Sequence, residues 1–148
     1  MKTKTTLRLE RTYKAPLEEV RTYLTEPALL ARWFAPGDMQ AEVRADARVG
    51  GHYEISMQGN GPDGKPATHT CAGVYEVLEP TRVVATFNWK EQPLPQETRL
   101  IFELEPVDGG TRLVLIHEGL PGDEAVAMHR QGWEGCLAKL EEAVPSGS

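Results

Sequence analysis

Residues 123–144, DEAVAMHRQGWEGCLAKLEEAV, carry a helical period at the end of a chain that otherwise alternates like strands. Counting by threes and fours puts Ala125, Met128, Gly132, Trp133, Cys136, Leu137, Leu140 and Val144 on one apolar stripe. Arg130, Glu134, Lys139, Glu141 and Glu142 lie mostly off it. About twenty helical residues reach ~30 Å, the width of a small domain. A chain of 148 residues suits one domain, here 1–148. A helix of this length must therefore lie across whatever sheet the rest forms. Gly132 sits in its middle, where glycine costs about 1 kcal/mol relative to alanine. The missing side chain there predicts clearance, for close helix–sheet approach or for a ligand. Asp123 is the expected N-cap.

Upstream, the period is two. Residues 5–13 alternate, with Leu7, Leu9, Arg11 and Tyr13 on one face. Ala15-Pro16 ends this strand, because proline has no amide to donate and suits a helix's first turn. Short helices are expected over 17–24 and 27–33, separated by Pro27, and a turn cluster at 35–38 follows. Six more alternating runs come next, from Gln40 to His117. Short turns join them, such as GNGPDGKP at 59–66 and Asp108-Gly109-Gly110. On the fourth run His69, Cys71, Gly73, Tyr75 and Val77 share a face. Gly73, like Gly132, is expected to remove bulk where helix and sheet meet. This order predicts an α+β fold: an antiparallel sheet of about seven strands, curved around the C-terminal helix, with two short helices between strands 1 and 2. The core is expected over about 6–143, with a frayed tail at 145–148.

The formal net charge of −6 argues against a nucleic-acid backbone or an anionic membrane surface as partner. No apolar run reaches the roughly 20 residues of a membrane span, and residues 1–13 lack a secretory core. Cys71 and Cys136 are too few for a disulfide framework. A cytoplasmic protein with reduced thiols is expected, and no cofactor or metal motif is visible.

Several stretches carry a family resemblance. They are Arg11-Thr-Tyr-Lys-Ala-Pro16, Pro27-Ala-Leu-Leu-Ala-Arg-Trp33-Phe, Asp46-Ala-Arg48-Val-Gly50-Gly51-His-Tyr53, Gly73-Val-Tyr75-Glu-Val, Gly110-Thr111-Arg-Leu, His117-Glu-Gly-Leu and His129-Arg-Gln-Gly132-Trp133. In order and spacing the chain resembles the START-like (SRPBCC) superfamily of helix-grip proteins. Within it, the chain is similar to the C-terminal-type domain of the activator of the heat-shock-protein-90 ATPase. The resemblance implies a cavity between sheet and helix. The N-terminal domain with which the eukaryotic activator engages its chaperone has no counterpart in these residues. The resemblance therefore implies small-molecule binding ahead of chaperone activation. In this setting Gly50-Gly51 is a structural turn braced by Asp46 and Arg48.

Alternation nominates the walls of such a cavity. The sheet supplies Tyr53, Ile55 and Met57, then His69, Cys71 and Tyr75, then Phe87, Trp89, Phe102, Leu115 and His117. Trp33 comes from the short helices, and Met128, His129, Gly132, Trp133 and Cys136 come from the long one. Arg11 is a charge on an inward face, placed to pair at the rim or to anchor a polar group of the ligand. The first functional reading is a binding protein for a small hydrophobic or amphipathic ligand. The second is an enzyme of cyclase, dehydratase or hydrolase type using His69, His117 or Arg11, which requires these groups to converge on one void. The third is an interaction module. Outward Val74, Val84, Ile101, Val114 and Ile116 could then meet a chaperone or form a homodimer.

Overall fold

The computed structural model describes residues 5–35, 39–60 and 63–144. The expected tail at 145–148, and parts of the turn clusters at 36–38 and 61–62, lie outside the described residues. The elements are β1 (Thr5–Tyr13), α1 (Leu17–Thr25), α2 (Pro27–Leu30), β2 (Gln40–Ala45), β3 (His52–Asn60), β4 (Pro66–Glu79), β5 (Arg82–Trp89), β6 (Thr98–Val107), β7 (Gly110–Leu120) and α3 (Asp123–Ala143). All pairings are antiparallel, in the order β1-β7-β6-β5-β4-β3-β2. The inward residues of the strands pack with α1, α2 and α3 in one core. This is the helix-grip arrangement.

Alternation decides the strand faces. On β7, Thr111, Leu113, Leu115 and His117 are buried while the residues between them are half-buried. On β4 the pattern slips. A bulge between Tyr75 and Val77 shifts the register, and one extra residue turns every later side chain over. Leu78 therefore packs against the core in place of Val77. Val77 instead joins an outward row through the register pairs Val77–Val84, Val84–Ile101 and Ile101–Ile116. Val84 is only 3% exposed and Ile101 6%, while Val74, Val114 and Ile116 are half-buried. The row is flanked by Arg99 with Glu76 at 2.9 Å and Glu118 at 3.5 Å, and by Arg82 with Glu103 at 3.7 Å.

Gly73 has a reason other than the one expected. A Cβ there would lie 1.9 Å from the carbonyl oxygen of Thr86 on β5. The close approach is strand to strand, not helix to sheet. Two bonds cross at this point. The Tyr53 hydroxyl donates to the Thr86 carbonyl at 2.6 Å, and the Val74 amide donates to Thr86 Oγ1 at 2.9 Å.

The helices also differ in detail. α2 is a single turn rather than a helix to Trp33. α3 starts at Asp123, so Asp123 is its first residue and Gly122, at φ 97°, is the cap. Asp123 and Glu124 then place negative charge in the first turn, where the helix dipole favours it. The backbone of α3 runs beside β1. Its C-terminal half is tied by side chains. Tyr13 donates to the Leu137 carbonyl at 3.1 Å and Tyr23 to the Ala143 carbonyl at 3.0 Å. Lys139 Nζ donates to the carbonyls of Ala35 at 2.6 Å and Met39 at 3.0 Å. The turn before β3 is braced as expected, by Arg48 on Asp46 at 2.6 Å.

Candidate functional site

The concave face holds a small, partly open apolar void of about 20 Å³. Leu24 of α1, Leu30 of α2 and the following Phe34 form one wall. Tyr53 and Ile55 of β3, Tyr75 of β4, Val83 and Ala85 of β5, and Leu100 and Phe102 of β6 form the other. This volume is close to the minimum for one water, so the broad cavity implied by the resemblance is closed here by side chains. No charged side chain lines the void among the described residues. The two tyrosines stack at 5.5 Å between ring centroids. The Tyr53 hydroxyl is committed to Thr86, and burial pushes its pKa up. Burial also pushes Tyr75 up, to about 12.

Beside the void, Phe87, Trp89, His117, His129 and Trp133 gather into a second cluster. His117 is wholly buried, and its ring lies 4.7 Å from Phe87. The Trp133 indole N–H donates to His117 Nδ1 at 3.2 Å. An indole nitrogen can only donate, so Nδ1 must be the bare acceptor and Nε2 the protonated nitrogen. Nε2–H then donates to Thr98 Oγ1 at 2.7 Å, and the Thr98 hydroxyl donates to the Phe87 carbonyl at 2.7 Å. His129 repeats the device with its nitrogens exchanged. Trp89 donates to His129 Nε2 at 3.0 Å, which leaves Nδ1–H to donate to the Ala125 carbonyl at 2.7 Å. The two imidazoles stand perpendicular, 5.2 Å apart. Burial, reinforced by His129, lowers the pKa of His117 to about 3. Burial lowers His129 as well, against the pull of the Ala125 carbonyl. Both rings are neutral hydrogen-bond partners.

The sequence candidates therefore divide. Tyr53, Ile55, Tyr75 and Phe102 line the void. Phe87, Trp89, His117, His129 and Trp133 form the ring cluster. Met57, Cys71, Leu115 and Cys136 are buried in the core. Burial raises the pKa of both thiols, that of Cys136 to about 12 although Lys139 pulls it down. Such thiols stay protonated. Trp33 is wholly buried, and its indole donates to the Tyr23 carbonyl at 2.8 Å.

Three expectations need correction, and of the two roles expected for Arg11 the rim pairing is the one found. His69 sits opposite buried Met57 as parity requires. The Trp89 ring lies 6.3 Å away and edge-on to it, and His69 is exposed. Met128 is 67% exposed. At 100° per residue it stands ~140° around the helix from Trp133, and the counting had merged two neighbouring stripes. Arg11 does not reach the interior. It lies 3.9 Å from Glu134 of α3, both half-exposed. Gly132 gives no close approach, because a Cβ there would meet nothing within 4 Å. Gly132→Ala is therefore expected to raise stability by about 0.5–1 kcal/mol in urea unfolding, from helix propensity alone. His69, His117 and Arg11 thus do not converge on one void.

Sequence reasoning passed over Leu24, Leu30, Phe34, Val83, Ala85, Leu100 and Thr98. Val83, Ala85 and Leu100 share the parity of the nominated Phe87 and Phe102, while Thr98 lies before the sixth run as expected from the sequence. Phe34 lies in a non-repetitive stretch and gave no periodic signal. Its ring packs edge-on to Trp133 at 5.1 Å.

A wider depression, about 640 Å³, is on the outer face of β2–β4. Arg44, His52, Glu54, Ala72, Lys90 and Glu97 help to line it. An adjoining one of about 320 Å³ adds Glu42, Ser56, Thr70 and Glu91. Charges of both signs are mixed there, and Lys90 is held by Glu54 at 2.5 Å. An open, self-neutralised groove desolvates little and is a poorer site than the smaller interior one. Among the described residues no cluster of three metal-ligating side chains forms, and no helix is long and apolar enough to cross a membrane.

Comparison with known proteins agrees with this architecture. A protein from Chromobacterium violaceum has 28% identity and a TM-score of 0.81, with 95% of this chain and 97% of that chain covered. A protein from Rhizobium leguminosarum has 26% identity and a TM-score of 0.79, with 97% and 96% covered. The AHSA1 protein from Silicibacter pomeroyi has 26% identity and a TM-score of 0.78, with 93% and 96% covered. No curated protein matches the chain. The sequence profile described as "Activator of Hsp90 ATPase homolog 1-like protein" matches residues 14–145. The chain belongs to this AHSA1-like family of START-like, helix-grip proteins.

Proposed function

We propose that this protein binds a small, mainly apolar molecule between the concave sheet and its helices, at the position of the void. The observation that carries the reading is the composition of that void. It is lined by side chains from α1, α2 and four strands, and interiors of this size leave few such gaps. The present volume does not hold a ligand, so binding requires Leu30 and Phe34 to give way. α2 is only one turn long, which makes this the least constrained wall.

The enzymatic reading has less support. A general acid or base must present a nitrogen to substrate, and both nitrogens of His117 are engaged. A homodimer or a chaperone could still use the outer face. It would meet the Val77–Ile116 row and its flanking ion pairs, and native mass spectrometry or chaperone pull-down would detect it.

The interior reading is tested with 2-naphthol, a fluorescent apolar probe. Saturable one-to-one binding is expected, together with a thermal upshift, since a ligand at 100 times its Kd adds about 2.7 kcal/mol. Ala85→Val fills the void from β5 and is expected to weaken the probe at least tenfold while leaving the fold intact. Equal binding by both proteins would move the site elsewhere. No binding by either would leave the void as a plain packing gap.

A further inference from the structure

We infer that the ligand of this interior site is uncharged and is held by one hydrogen bond, to the hydroxyl of Tyr75. The inference rests on the interior binding reading and narrows it. Every residue around the void is apolar except two tyrosines. Tyr53 is occupied, since its hydroxyl donates to the Thr86 carbonyl at 2.6 Å. Tyr75 is 5% exposed, and its hydroxyl has no hydrogen-bond partner among the described residues. Among the described residues no wholly buried side-chain polar atom is left unpartnered, so this hydroxyl keeps a contact with solvent. A buried phenol normally finds a partner, and a group left open in this way is the natural point of ligand recognition.

The charge state follows from the same walls. No cation lines the void to pair a carboxylate and no anion to pair an ammonium, so a charge drawn in among these apolar side chains would be uncompensated. Arg11, the one inward cation expected from the sequence, is at the rim with Glu134. His117 and His129 are neutral and fully bonded. Burial alone raises Tyr75, with no charged neighbour contributing. Tyr75 therefore stays a neutral phenol, able to donate to a carbonyl, ether or hydroxyl oxygen or to accept from a hydroxyl. The ligand class is a neutral, largely apolar molecule with a single polar atom near one end. Fatty acids and other charged amphiphiles fall outside it.

The test compares three probes of one shape at pH 7.5: 2-naphthol, naphthalene and 2-naphthoate. Wild-type protein is expected to bind 2-naphthol about 3- to 10-fold more tightly than naphthalene, the range of one neutral hydrogen bond. 2-Naphthoate should bind at least tenfold more weakly than 2-naphthol. Tyr75→Phe should reduce 2-naphthol to the level of naphthalene and leave naphthalene unchanged. Equal affinity for 2-naphthoate and 2-naphthol overturns the inference while keeping the site. So does an unaltered preference for 2-naphthol in Tyr75→Phe. If none of the three binds, the parent reading fails and the inference with it. Circular dichroism and Tm establish that Tyr75→Phe is folded, and if it is not, the three-probe comparison on wild type decides alone.

Discussion

Lowering the pH from 7 to 4 is expected to remove on the order of 3 kcal/mol of folding stability through His117 alone. The ring is neutral in the native state because burial, and then His129, lower its pKa from 6.5 to about 3. The unfolded chain binds a proton at this position below pH 6.5, and the folded chain does not until about 3. Stability is therefore full above pH 6.5 and declines as pH falls toward 3. His129 is shifted in the same direction and steepens the decline. Glu54 and Glu91, held below the usual carboxylate range by Lys90 and by the Thr70 amide, add acid sensitivity only at lower pH. Urea unfolding at pH 7, 6 and 5 isolates the histidines. His117→Gln should be less stable at pH 7, because Trp133 or Thr98 loses a buried partner, but its profile should be flatter. A wild-type profile that is level from pH 7 to 5 would show that these rings take up protons equally in the folded and unfolded chain.

Gly73→Ala should be among the most damaging small substitutions in the sheet, at about 3 kcal/mol or more. The added carbon would stand 1.9 Å from a backbone oxygen of β5, and a backbone cannot turn aside as a side chain can. β4 and β5 must separate there, at the place where Tyr53 and Val74 both bond Thr86. Loss of those bonds also frees one wall of the void. The check is urea unfolding with tyrosine fluorescence. A change within about 1 kcal/mol of wild type, the size of an ordinary substitution, would mean that the strands have slack at this point.

The contrast between Gly73 and Gly132 explains what a sequence can carry. Both glycines interrupt a regular pattern, and both signalled clearance. At Gly73 the obstruction is real, but it comes from a strand that periodicity alone does not position. At Gly132 there is no obstruction. Strand faces were legible because period two is a local property, and it held on most strands between Leu7 and His117. It failed past Tyr75, where a bulge inserts one residue and no residue type announces it. The helix face was legible to within one stripe, and Met128 fell on the wrong side of that margin. The histidine chemistry was less accessible. Nothing in the spacing of residues 89, 117, 129 and 133 reveals that two indoles find two imidazoles. That pairing depends on three elements meeting at one end of the sheet.

The long helix has, finally, the mechanics of a cantilever. Its C-terminal half is clamped by Tyr13, Tyr23 and the forked Lys139, all bonded to backbone carbonyls. Its other half is latched to the sheet through the lone pairs of two imidazoles, which a single proton on each would remove. Its root is held by β1, α1, Ala35 and Met39, and acid is expected to loosen its other half from β5 and β7 by removing the latch.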